Sequence, residues 1–134
     1  MIKYNSGAAY LTENDWNRTS ACLAPLVSQF EELADKTNLS VLYGKRWPQL
    51  QLSSKQGRVI RSLKLCLNRD YMLTKELFFE LVYEKLDKGQ GTNRFASTLE
   101  MLGKFTIGDL KSVSYVMGKV DQELVRLKSS HIEE

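Results

Sequence analysis

The chain has 134 residues, with 19 Lys plus Arg against 16 Asp plus Glu, one His, two Cys and two Pro, a size that suits one domain. At 43% hydrophobic and 26% charged it is neither disordered nor fibrous in composition and can bury roughly two-thirds of its unfolded surface. One histidine, His131 in the SSHIEE tail, and two distant cysteines exclude a zinc-ligand spacing and leave no Ser-His-Asp or Cys-His set to orient, so a non-catalytic protein without metal or cofactor is expected.

In chain order, MIKYNSGAAYLTEND has no apolar core of the kind a secretory signal needs, and no run approaches the ~18 apolar residues of a membrane helix. Cys22 and Cys66 sit in apolar stretches and read as free thiols. A cytoplasmic protein without membrane contact is the expectation. Segment 12–36 carries Trp16, Leu23, Leu26, Val27, Phe30, Leu33 and Ala34 at helical spacing, with Thr12 and Asp15 available as caps. Pro25 interrupts it, so the helix either kinks there or restarts near Ala24. Residues 39–52, LSVLYGKRWPQLQL, mix β-branched and aromatic residues with Gly44 and Pro48, which favours a short β-hairpin or an irregular crossing.

From Ser53 onward three more helices are expected. The first places Val59, Ile60, Leu63, Cys66 and Leu67 on one face and Arg58, Arg61 and Lys64 on the other. The second starts at Thr74 and runs through Leu77, Phe78, Leu81, Val82 and Leu86 to Gly89, with Glu76, Glu80 and Glu84 along its polar side. The third covers Thr92 to Lys104 with Phe95, Leu99 and Leu102 inward. Gly89-Gln90-Gly91-Thr92 before it is a helix stop and cap rather than a phosphate loop, since the Walker ending is missing.

A last helix begins where Thr106 and Asp109 approximate a capping box, flanked by Phe105 and Leu110 as a hydrophobic staple. Leu110, Val113, Met117, Val120, Leu124 and Leu127 then alternate spacings of three and four, which suits either a buried stripe in a bundle or a homodimer through helix 107–128. The expected fold is therefore mainly α. It is a single-domain bundle of about five helices over 1–134, with a short β-hairpin or irregular segment near 39–52 and flexible ends at 1–11 and 129–134.

Charge is unevenly distributed. Residues 41–70 hold seven cations, Lys45, Arg46, Lys55, Arg58, Arg61, Lys64 and Arg69, against Asp70 alone, while every other stretch is neutral or acidic. Such a segment favours phosphate backbones or an acidic protein surface as partner. Trp47, Tyr43 and Tyr71 interleave with these cations, a mixture suited to base stacking as well as to a core edge.

Residues 50–104, from LQLSSKQGRVIRSLKLCL through the Tyr71-Met72-Leu73 link and the Thr-Lys-Glu-Leu opening to TNRFASTLEMLGK, resemble the helical core of winged-helix DNA-binding domains of the response-regulator effector type. The resemblance implies a third helix in the recognition position, with Asn93, Arg94, Ser97 and Thr98 toward bases and Lys55, Arg58 and Arg61 toward the backbone. A wing should follow, whereas 106–118 reads more strongly as helix. Two functional expectations result. One is a small DNA- or RNA-binding regulator that uses the basic segment and a helix-turn-helix-like element. The other is a protein-interaction module, such as an immunity protein, antitoxin or phage-type inhibitor, docking an acidic partner.

Overall fold

The computed structural model describes residues 11–88, 95–107 and 110–128. Helix α1, Glu13–Ala21, starts where the Thr12 hydroxyl accepts the Asp15 backbone N–H at 3.0 Å, and Glu13 and Asp15 sit against the positive end of its dipole. Helix α2, Ala24–Thr37, takes Pro25 into its first turn, where a missing N–H costs nothing. It stops at Asn38 in the left-handed conformation, φ 59°. Of the two readings of Pro25, the restart near Ala24 holds.

The middle of the chain departs from the expected helices. Strands β1 Ser40–Tyr43, β2 Gln49–Gln56, β3 Val59–Leu67, β4 Phe79–Lys88 and β5 Phe95–Phe105 form one antiparallel sheet in sequential order, β1-β2-β3-β4-β5. A one-turn helix, α3 Tyr71–Thr74, links β3 to β4, and α4 Leu110–Glu123 and α5 Val125–Lys128 follow the sheet. The hairpin at 39–52 is present as β1 and β2, but the mainly α bundle of about five helices is overturned. This is an α+β protein with a five-stranded sheet.

The physical reason lies in competing periods. Leu50, Leu52, Leu63, Leu65, Leu67, Phe79 and Leu81 are fully buried and alternate with Gln51, Lys64, Glu80 and Val82, the period of two that a strand requires. Gln56-Gly57-Arg58 closes the β2–β3 hairpin with Gly57 at φ +62°, a conformation that glycine adopts without strain. Leu50 then stands opposite Leu65 and Leu52 opposite Leu63. Residues four apart share a face in either a helix or a strand, so Glu80 and Glu84 could not discriminate the two. Leu99, expected inward on a helix, is instead exposed on β5.

The helices and one sheet face share a single apolar core, with Trp16, Leu23, Leu26 and Phe30 from α1 and α2 and Val113, Val116, Val120 and Leu127 from α4 and α5. Each fully buried leucine contributes on the order of 2 kcal/mol of transfer free energy. The seam residues Val113, Val120, Leu124 and Leu127 are thus used by the chain's own core, the buried-stripe reading of that helix. The capping box at Thr106 and Asp109 falls partly outside the described residues, and the Gly89–Thr92 segment falls wholly outside them.

Candidate partner-binding cleft

The seven cations of 41–70 are separated by the hairpin that carries them. Lys45 and Arg46 lie in the β1–β2 loop and Arg69 follows β3, all at one end of the sheet. Lys55 and Arg58 flank the Gly57 turn at the other end, about 26 Å away along an eight-residue strand. The face of a single helix expected for Arg58, Arg61 and Lys64 does not exist. Arg61 is 2% exposed, with its guanidinium 3.4 Å from Gln56 Oε1. It stands opposite Ser54, whose hydroxyl donates to the Leu127 carbonyl of the helix layer. Three positions on, Lys64 lies on the opposite face, 3.3 Å from Glu84 Oε1.

The recognition helix implied by the winged-helix resemblance is strand β5, where Thr98 is exposed opposite Lys85. Asn93, Arg94 and the side chain of Ser97 lie outside what the structure describes. Among the described residues of 50–104 the only helix is the four-residue α3, so the helix-turn-helix-like element expected there is not formed.

At the loop end, Arg46, Trp47, Arg69 and Met72 line a cleft of about 440 Å³. Its shape is built by backbone bonds and one indole. Gly44 donates its N–H to Gln49 O at 3.0 Å. A Cβ on Gly44 would lie 1.9 Å from the Trp47 carbonyl oxygen, so only glycine permits this turn. Leu67 donates its N–H to the carbonyl of the buried Pro48 at 3.0 Å, and Trp47 donates its indole N–H to the Leu67 carbonyl at 2.8 Å. The loop is therefore stitched to the end of β3, which brings Arg46 and Arg69 to one place although they are far apart in sequence.

Met72 is presented by α3, which buried groups hold in position. Asn68, almost fully buried, donates its backbone N–H to Phe78 O at 3.0 Å. The fully buried Tyr71 places its hydroxyl 3.2 Å from Asp15 Oδ1, and Lys75 lies 3.4 Å from Asp15 Oδ2. The Arg18 guanidinium stands 5.9 Å and the Lys75 ammonium 5.1 Å from the Tyr71 ring centre. Burial pushes the Asp15 carboxyl up, but the Tyr71 hydroxyl and the Lys75 charge outweigh it and hold the group below its ordinary value. Burial, then the hydrogen bond to Asp15, pushes the Tyr71 hydroxyl up.

The cleft lining supplies groups suited to binding. Two guanidinium groups match the planar geometry of carboxylates and phosphates, and an indole and a thioether beside them accept an apolar group. The nearby Cys66 thiol is raised by burial and so is a poor nucleophile. Both cysteines are free. Among the described residues no group of three or more His, Cys, Asp or Glu could hold a metal ion, and no helix is long and apolar enough to cross a membrane.

Of the residues singled out in the sequence, the structure joins Arg46, Arg69 and Trp47. It sends Tyr71 into the core and pairs Tyr43 with Glu31. Met72 was legible only as part of a hydrophobic link. No family model, no curated protein and no solved structure matches this chain.

Proposed function

We propose that this protein is a non-catalytic interaction module that docks an acidic protein surface, in the manner of an immunity protein, antitoxin or phage-type inhibitor, through the cleft of Arg46, Trp47, Arg69 and Met72. The carrying observation is that two guanidinium groups flank a tethered indole at an open cleft of about 440 Å³. Trp and Arg dominate the energetic centres of protein interfaces, and Met is enriched there. An acidic partner supplies a carboxylate to the arginines and an apolar side chain to Trp47 and Met72, while Lys45 at the rim speeds encounter. Free thiols suit a reducing compartment, and a cytoplasmic site of action belongs to the same proposal.

The nucleic-acid regulator is the second reading, favoured by the same pairing of indole and arginine, which could stack a base and hold a phosphate. It is the weaker one for a countable reason. Proteins that grip a duplex firmly make about six to ten phosphate contacts. Of the seven cations of 41–70, three stand at one end and two at the other, with Arg61 buried and Lys64 against Glu84.

The test is affinity capture on the intact chain after nuclease treatment, repeated with Arg46→Glu and Arg69→Glu combined, followed by binding measurements on the purified partner. One stoichiometric acidic protein is expected, and the charge reversal should weaken it by about a hundredfold or more. Undiminished binding of that protein by the double variant would overturn the reading. Steeply salt-dependent binding to an oligonucleotide, abolished by the same variant, would replace it with the nucleic-acid one.

A further inference from the structure

Strand β5 is an edge of the sheet, 11 residues long and bonded among the described residues only to β4, whereas the opposite edge, β1, has four residues. An unpaired strand of that length is a template for another strand, and proteins ordinarily guard such edges with lysine, proline or a bulge. On β5 these devices begin late. The irregularity in pairing falls where Leu81 faces Gly103 and Val82 faces Met101, and Lys104 lies beyond it. The preceding stretch 95–101, FASTLEM, has no Pro, Gly, Lys or Arg.

Its only charge, Glu100, is engaged within the fold by Arg126, at 2.8 and 3.2 Å to the two carboxylate oxygens, though its side chain stays half exposed. Leu99 and Met101 stand 65% and 51% exposed on the strand. The exposed Tyr115 rests edge-on against Phe105 at the same edge, with ring centres 5.4 Å apart.

We infer that β5 is the interface of a symmetric dimer, in which residues 97–101 pair antiparallel with the same segment of a second copy, centred on Leu99, and extend the sheet to ten strands. The occupant follows from self-complementarity. About that centre Leu99 meets Leu99 of the second copy, and Thr98 meets Glu100 twice. A two-fold centred one residue later would set Glu100 against Glu100, and like charges directly opposite are destabilising. A two-fold pairing also closes after two copies, as a stable assembly requires. This interface lies at β5 and leaves the Arg46 and Arg69 cleft free, so it does not depend on the cleft's proposed role.

The experiment is the mass of the full chain in solution by sedimentation and light scattering. Twice the chain mass of 15.4 kDa is expected. A single chain mass at ~100 μM, or open-ended aggregates, would overturn the inference. Leu99→Lys should raise the dissociation constant by about tenfold or more, because it removes apolar burial and opposes two charges. Leu73→Lys, at a site 86% exposed on α3, should change nothing. Circular dichroism confirms that both variants fold, and a Leu99→Lys chain that stays dimeric refutes the proposal.

Register is read by oxidative crosslinking. Directly opposed residues lie within disulfide reach, so Leu99→Cys should give a covalent dimer that the parent, with Cys22 and Cys66 alone, does not. Met101→Cys should not crosslink, and the reverse outcome refutes the Leu99-centred pairing.

Discussion

Trp47 donates its indole N–H to the backbone carbonyl of Leu67 at 2.8 Å, which bonds the floor of the cleft to the strand end from which Arg69 departs. Replacing Trp47 by Phe keeps an aromatic platform but leaves that carbonyl without its donor. A loss of about 1 kcal/mol in stability is expected from urea unfolding. Partner affinity should fall as well, because the ring is then free to turn. Gly44→Ala should do more damage than Trp47→Phe, since its Cβ collides with backbone oxygen.

Tyr71→Phe tests how the cleft is held from behind. The variant keeps the buried ring and removes the hydroxyl from Asp15, loosening the tie between α1 and α3. About 1 kcal/mol of stability should be lost. Asp15, whose folded pKa lies below its ordinary value of 3.8, contributes stability that is present above that value and disappears as pH falls through the folded pKa. The acid limb of the stability curve should therefore be shallower in Tyr71→Phe than in the parent.

Glu100 and Arg126 form a second acid-sensitive pair. The Arg126 hydrogen bond, then its charge, holds the Glu100 carboxyl below its ordinary value of 4.5. The guanidinium also stacks 4.0 Å from the Tyr83 ring centre and lies 3.3 Å from Glu123. Since the folded pKa is depressed, the pair stabilises above pH 4.5 and the gain is lost as pH falls through the folded value. Arg126→Lys keeps a charge but loses the fork and the planar stack, and should cost about 1 kcal/mol at neutral pH. The difference in thermal unfolding between the two chains should narrow in acid, leaving the part that comes from the Tyr83 stack.

Tyr43 gives a signature on the alkaline side. Burial, then the hydrogen bond and charge of Glu31, pushes its hydroxyl from 10.0 up to about 12. A raised folded pKa means that this contribution is complete below the ordinary value and lost as pH rises through about 12. Tyrosinate absorbance should show a late step near pH 12, and Glu31→Gln should move it toward 10.

Arg61→Met separates fold from binding. The side chain is buried, so exchange for an apolar residue of similar length should leave capture of the acidic partner unchanged. Stability should move by no more than about 2 kcal/mol, because a buried charge is costly to keep as well as to lose. Truncation to Ala, which opens a cavity under the sheet, should cost about 3 kcal/mol or more.

The sequence by itself determined the ends of the molecule and its charge. Thr12 marks the start of α1 because capping acts within one turn, while Pro25 leaves a kink and a restart open and the structure takes the restart. The stripe from Val113 to Leu127 is long enough for a helical period to stand alone. The excess of cations in 41–70 and the single histidine, His131, needed only counting.

The tertiary structure alone decided the middle. Val59, Ile60, Leu63, Cys66 and Leu67 satisfy a helical period, while Leu63, Leu65 and Leu67 satisfy a strand period. The choice is made by partners: Leu65 has Leu50 on one side and Leu81 on the other, contacts that local spacing does not encode. The same pairing distributed the basic segment, burying Arg61, setting Lys64 against Glu84 and carrying Arg69 to Arg46. A strand turns successive side chains to opposite faces, so a run of cations that would be one surface on a helix becomes several places on a sheet.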